Sequence, residues 1–326
     1  MAASDPAVVT TDAARIDVGS FQVLSATGAD RQAFLHRLLT TDIESLAMGA
    51  GTRALLLTLK GHIAVDFRVC RLAEEIRLVV PPGQAAEAVA ALTKYAVMDD
   101  FAVAPKAGWR LVAVYGAKAE ARLRQAGVDV PAGLAEGPRL GYAEAGFEGG
   151  GPLWLLAERG YGAPGVWAFG PEAAAGALEA RLGTAGVETL EEGVAEGLRV
   201  DAGSPRFGIE ITADYFPMEV GLSRAIDYGK GCYLGQEPIV RIRDRGHINW
   251  RLVKLAIAGG APVAPGDRLE SEAKPKAGRV TSVAEVPAGK VALAMAHVSV
   301  PVGAAVTVRH GEEAVTAQIV TEVEDP

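Results

Sequence analysis

The sequence is poor in the residues that most often carry chemistry. Two cysteines, Cys70 and Cys232, occur in 326 residues. That is too few for a disulfide framework or a four-cysteine metal site, and two thiols cannot hold a cubane iron–sulfur cluster alone. The five histidines (His36, His62, His247, His297 and His310) are scattered without ligand spacing. Positive charge is not in excess: the net charge of −8 argues against nonspecific binding to nucleic acid or anionic membrane. No run of 18 apolar residues occurs, so no membrane span is expected. The start, Met-Ala-Ala-Ser-Asp-Pro, lacks the regions of a signal peptide, and cytoplasm is the expected compartment. There is no Gly-x-Gly-x-x-Gly opening a helix after a strand, no Walker A, no His-Glu-x-x-His and no Gly-x-Ser-x-Gly elbow. The common nucleotide, metal and hydrolase readings fail.

What is present is an ordinary globular composition, 49% apolar and 22% charged, in a chain long enough for two or three domains. Residues 21–25 read as a strand, and Phe34, Leu35, Leu38 and Leu39 mark an amphipathic helix over about 30–39. Residues 54–59 read as a strand that turns at Lys60-Gly61. The next strand alternates, with Ile63, Val65, Phe67 and Val69 on one face and His62, Ala64, Asp66 and Arg68 on an open one. Carboxylates are depleted in strand centres, so Asp66 is a candidate catalytic group, with a cross-strand salt bridge as the alternative. Further strands and helices alternate irregularly to about residue 198, which favours α+β over a doubly wound parallel sheet. From 251 onward short β-rich runs between Gly and Pro turns predict an all-β barrel domain, giving expected units of 1–248 and 249–326.

Three constellations remain. Asp201 opens a Gly/Pro loop with Arg199 and Arg206 nearby, and could accept two hydrogen bonds from an amidine-like edge. Otherwise it is a turn carboxylate paired with one of those arginines. Cys232 lies beside Lys230, whose charge would favour the thiolate; the alternative is a small buried hydrophobe. Arg241, Arg243 and Arg245 at alternate positions would share one strand face. That stripe could bind a polyanionic tail such as polyglutamate, or could simply guard a solvated edge.

Lys230-Gly-Cys-Tyr-Leu-Gly-Gln-Glu237 resembles the Lys-Gly-Cys-aromatic-x-Gly-Gln-Glu signature of the YgfZ-type folate-binding proteins, relatives of the glycine cleavage T-protein, an aminomethyltransferase. Arg199-Val-Asp-Ala-Gly203 with Pro205, Arg206 and Gly208, the segment from Gly28 to Ile43, and Pro217-Met-Glu219 with Gly221-Leu222 extend the resemblance along most of the chain. It implies an α+β, T-protein-like three-domain ring of two mixed α/β folate-binding lobes plus a C-terminal small β-barrel. It further implies a central pocket for tetrahydrofolate or a one-carbon derivative, and a role in iron–sulfur cluster assembly or repair alongside client proteins. Asp201, one methylene shorter than the family's Glu, would face the pterin. Arg199, Arg206, Tyr233, Gln236, Glu237 and Arg241 would complete the binding set, and Cys232 and Lys230 would act as the reactive pair. Asp66 falls where T-proteins carry a catalytic carboxylate, with Val65 in place of a second acid. The alternative function is therefore a folate-dependent aminomethyltransferase, or another one-carbon transferase acting on a small amine.

Overall fold

The computed structural model describes residues 2–135, 140–148, 150–259 and 262–324. The first lobe contains β1 (Gln22–Thr27), α1 (Arg31–Leu38), β2 (Gly51–Leu57), β3 (Ile63–Arg71), β4 (Ile76–Val80), α2 (Ala85–Thr93) and β5 (Ala102–Pro105). Its five strands form an antiparallel sheet in the order β2-β3-β4-β1-β5. The second lobe contains β6 (Trp109–Tyr115), α3 (Ala119–Gln125), β7 (Tyr142–Ala145), β8 (Leu153–Arg159), β9 (Pro164–Pro171), α4 (Glu172–Thr184) and α5 (Glu192–Asp201). Its sheet runs β6-β9-β8-β7 and is extended beyond β6 by short strands at Ala14–Arg15, Thr189–Leu190 and Ala2–Ala3.

Alternation along the strands assigns each side chain to a layer. Val65, Phe67 and Val69 of β3 point outward into a core shared with Phe34, Leu35 and Leu92 of α1 and α2. Cys70, on the opposite face of β3, joins Val23 and Val79 in a core with Tyr115, Trp154, Trp167 and Phe169 of the second sheet. The two sheets therefore stack face to face, each backed by its own helices. The face of β3 that the sequence marks as open is not open: Asp66 is only 1% exposed, because the second lobe covers it.

After α5 the chain crosses two 3₁₀ turns, Pro217–Val220 and Ser223–Ala225, and enters α6 (Gln236–Arg245). Here a second expectation is corrected. Arg241, Arg243 and Arg245 lie on a helix, where residues two apart diverge by about 200°. Arg241 faces solvent with only a loose ion pair to Glu237 at 3.8 Å. Arg243 folds over the Tyr228 ring and bonds Asp244. The alternation of Ile239, Val240 and Ile242 with arginine imitates a strand, but Gly235, left-handed at φ +75, starts a helix. Pro238 in its first turn needs no N–H donor there.

The barrel comprises β10 (Trp250–Ile257), β11 (Arg268–Glu270), β12 (Gly278–Val286), β13 (Gly289–His297), β14 (Ala305–His310) and β15 (Glu313–Glu322). It closes in the order β10-β13-β12-β11-β14-β15, which leaves no unpaired sheet edge. Buried Glu219 ties it to the lobes: its carboxylate accepts the backbone N–H groups of Phe216, Asn249 and Trp250. Among the described residues no helix is long and apolar enough to cross a membrane.

Candidate functional site

Between the stacked sheets lies a cleft of about 220 Å³, smaller than the ~300–1,000 Å³ of pockets that hold a whole drug-sized molecule and matched to one ring system. Its floor is a cluster of buried charges. Arg53 on β2 and Arg68 on β3 are directly opposite in register, a repulsive placement on its own. Asp66 resolves it: its oxygens accept Nε and Nη2 of Arg53 at 2.8 and 2.6 Å and Nη1 of Arg68 at 3.2 Å. Glu158, from β8 of the other lobe, accepts Arg68 Nε at 2.8 Å. Burial alone would push Arg68 down, but the adjacent Glu158 and Asp66 carboxylates outweigh it and hold the guanidinium above its usual value.

Aromatic rings wall the cluster. The Arg68 guanidinium lies 5.3 Å from the ring centres of both Phe21 and Trp167, within cation–π range. Trp167 donates its indole N–H to Tyr115 at 2.9 Å, and Tyr161 meets Tyr115 edge-on. Burial raises both phenols, Tyr115 well above its ordinary value, so both stay protonated at neutral pH. At the mouth, α5 and the following loop add a second charge set. Glu196 accepts Arg199 at 2.6 Å and Arg206 at 2.5 Å. Burial opposes its ionisation, but those guanidiniums overcome the effect and lower its pKa. Arg199 also reaches Ser282 of the barrel, whose hydroxyl donates to buried Glu210 at 2.6 Å. The second lobe, the loop after α5 and the barrel thus meet at one polar joint.

The ten residues expected from sequence separate into groups. Asp66, Arg199 and Arg206 line the cleft. Asp201 does not: it ends α5, five residues past Glu196 and about 140° round the helix, and its side chain ion-pairs with Lys254 of the barrel at 3.2 Å. Its reading as the carboxylate facing a central pocket is corrected, as is the alternative pairing with Arg199 or Arg206, because the helix turns it outward. Lys230, Cys232, Tyr233, Gln236, Glu237 and Arg241 belong to a separate segment packed on the first lobe.

There the ammonium of Lys230 reaches the backbone carbonyls of His36, Leu39 and Thr41, at 2.6 Å to Leu39 and 3.1 Å to Thr41. Those three bonds use all its N–H donors on the C-terminal end of α1. It is a helix cap rather than an activator of the thiol. Burial pushes it down to about 8, against the pull of Asp42, Asp227 and Glu44. Cys232 is exposed, which removes its reading as a small buried hydrophobe. Gln236 accepts the N–H of Tyr233 at 3.3 Å and closes the turn. The buried Tyr233 ring lies 5.4 Å from the Lys230 ammonium.

Sequence reasoning missed Arg53, which is bonded to Asp66 behind the cleft, Glu158, which lines it, and Glu196, which lines the adjoining groove. A signal for the first two existed: Arg53 is the one charge in the strand Gly-Thr-Arg-Ala-Leu-Leu-Leu, and Glu158 interrupts the apolar run of Leu-Trp-Leu-Leu-Ala-Glu-Arg. Glu196 carries no comparable mark.

The sequence profile of the GCVT N-terminal domain matches residues 1–230, most of the chain. The chain belongs to the GCVT family. An aminomethyltransferase of Chromobacterium violaceum is 27% identical over 305 residues, covering 92% of this chain and 82% of its own. One from Rubrobacter xylanophilus is 29% identical over 293 residues, covering 86% and 77%. The crystal structure of glycine cleavage system aminomethyltransferase T from Bartonella henselae superposes with a TM-score of 0.86 at 23% identity, over 97% of this chain and 87% of that one. At that identity the superposition speaks for the fold alone. The T-protein-like architecture expected from the sequence, two mixed α/β lobes with a small C-terminal β-barrel, is therefore the observed one, and the barrel has six strands.

Proposed function

We propose that this GCVT-family chain binds a reduced folate in the cleft between its lobes and handles the one-carbon unit that the folate carries. The observation that carries this reading is the charge-neutral Arg53–Asp66–Arg68–Glu158 cluster flooring an aromatic cleft. A pterin presents a flat bicycle, an amidine-like edge that donates hydrogen bonds and a carbonyl that accepts them. Phe21 and Trp167 line the cleft and, with the Arg68 guanidinium packed on them, form an aromatic and cationic wall for the flat ring. A carboxylate has about four acceptor sites, so Glu158 can accept the donor edge while still bonded to Arg68. Arg68 supplies a fixed donor for the carbonyl. When bound, folate supplies the nitrogens that carry the one-carbon unit; the chain's own residues orient the ring and exclude water.

The names of the relatives favour aminomethyl transfer: the donor's carbon–carrier and carbon–nitrogen bonds break, its CH2 joins two folate nitrogens, and the two protons those nitrogens lose leave on ammonia and on the carrier. Calorimetry with tetrahydrofolate tests the binding, and ammonia release coupled to methylenetetrahydrofolate formation tests the transfer. Absence of heat and of any thermal shift at millimolar tetrahydrofolate sinks the proposal.

Two observations favour a second reading, an accessory protein for iron–sulfur enzymes. Both Asp66 oxygens are already bonded to Arg53 and Arg68, which favours a structural role for it. Cys232 stands exposed on the Lys-Gly-Cys segment, outside the cleft lining. On this reading Cys232→Ala keeps tetrahydrofolate affinity but fails to restore iron–sulfur enzyme activities in a deletion strain. Full restoration by Cys232→Ala, together with measurable aminomethyl transfer, decides for the first reading.

A further inference from the structure

The outer wall of the barrel, away from the cleft, carries a row of arginines. Arg268 on β11 stands directly opposite Arg279 on β12 and directly opposite Arg309 on β14. Residues opposite each other in an antiparallel ladder share a face, so three guanidinium groups leave one face of three adjacent strands. All three residues are exposed. Like charges directly opposite are destabilising, and the local compensation is thin. Glu270 takes Arg309 at 2.8 Å, whereas Arg268 and Arg279 have no ion-pair partner among the described residues. The connection from β11 to β12 adds Lys274 and Lys276 against Glu272. On a chain of net charge −8 this is a local basic face, kept despite its own repulsion. One end of the row reaches the lobes. Arg279 pairs with Met295 of β13, which is buried in the core between barrel and lobes against which Tyr215 also packs. Burial raises the Tyr215 phenol, and the nearby Arg279 pulls against it.

The spacing says what fits. Neighbouring strands lie about 4.8 Å apart, so the row spans about 10 Å. On an α-helix, residues i, i+3 or i+4, and i+7 share one stripe and span about 10.5 Å. Same-face residues of an extended strand are about 6.8 Å apart and fall out of step with the row. Each guanidinium presents a fork that takes a carboxylate through two bonds. We infer that this face docks an acidic helix of a partner protein, with carboxylates at i, i+3 or i+4, and i+7 set against Arg309, Arg268 and Arg279. The negative charge of the rest of the chain repels such a partner elsewhere, which fixes where it lands. The row takes no part in the cleft, so this inference stands apart from the folate reading.

The probe is a labelled synthetic helical peptide with glutamates at those three positions, titrated with the full chain and read by fluorescence anisotropy. A control peptide carries the same glutamates spread round the helix. Wild type is expected to bind the first peptide more tightly than the control, and high salt should abolish the binding. Arg268→Thr/Arg279→Thr, which keeps strand propensity, should weaken it by about four- to twenty-five-fold, at about two- to fivefold per exposed charge contact. Glu270→Gln frees Arg309 and should tighten it. No binding by wild type at millimolar chain and low salt overturns the inference, as does equal affinity for the control peptide. Affinity unchanged in the double variant or in Glu270→Gln overturns the assignment to this row. A DNA duplex bound more tightly than the peptide, and lost in the double variant, overturns the choice of a protein partner. Because the double variant relieves repulsion, its melting temperature should match or exceed that of wild type. A drop of several degrees marks the row as structural and overturns the inference.

Discussion

Replacing Asp66 by Asn is the sharpest test of the charge cluster. Asp66, Glu158, Arg53 and Arg68 have side chains 2%, 2%, 7% and 10% exposed, and two positive and two negative charges sum to zero. Asparagine keeps the volume but removes one negative charge, leaving a net buried positive charge with Arg53 and Arg68 facing each other in register. Breaking a buried pair in this way costs about 3–5 kcal/mol. At about 2–4 °C per kcal/mol for a chain somewhat smaller than this one, the melting temperature should fall by roughly 6–20 °C, read by circular dichroism. The control is Arg53→Met/Asp66→Leu, which removes a whole pair while keeping bulk. Replacing both partners leaves no orphan charge, so its cost should be well below the sum of the two single changes. The reasoning is refuted if Asp66→Asn costs less than about 1 kcal/mol, or if the paired replacement is as damaging as the sum.

Three further outcomes follow from the same geometry. Gly235→Ala should destabilise by about 2 kcal/mol or more, since residue 235 has φ +75 and a Cβ there would fall 2.3 Å from the Thr58 carbonyl oxygen; urea unfolding measures it. Glu219→Ala should cost about 2–4 kcal/mol and loosen the barrel from the lobes, because three backbone N–H groups lose a charged acceptor; faster amide exchange at Asn249 and Trp250 is the readout. Lys230 has its pKa depressed to about 8 from the ordinary lysine value near 10.4. Between those values the unfolded chain holds the proton that the folded chain has released. Its contribution to stability is therefore present above about pH 10.4 and is lost as pH falls through 8. Lys230→Met should remove that rise, and identical pH profiles for the two proteins would contradict it.

The expectations that held depend on short stretches of chain. The alternation of Ile63, Val65, Phe67 and Val69 against Asp66 and Arg68 was readable because a strand's two faces are set by local backbone geometry. The amphipathic spacing of Phe34, Leu35 and Leu38 located α1 for the same reason. The barrel was readable from strand-length runs cut by Gly and Pro. The failure at Arg241–Arg245 is local as well: β-branched residues alternating with arginine satisfy a strand pattern, and the left-handed Gly235 that starts a helix instead is indistinguishable in sequence from any turn glycine.

The site was legible only in part, because what covers a strand face or a helix face is decided by partners distant in the chain. Asp66 was visible as an odd carboxylate, but its burial requires the second lobe, and its partner cluster requires Glu158, 92 residues away. Asp201 and Glu196 sit on one helix and look equally eligible; only the docking of α5 between the second sheet and the barrel turns Glu196 to Arg199 and Arg206 beside the cleft and Asp201 to Lys254. Lys230 and Cys232 are neighbours in sequence, yet the lysine is spent on the end of α1 while the thiol stays in solvent. By itself, then, the sequence determined most of the elements, the GCVT-type fold and the residues worth suspecting, since propensity, periodicity and motif are local properties. The tertiary structure decided which of those residues share a cleft, since direction and burial follow from the stacking of two sheets and a barrel that no single segment encodes.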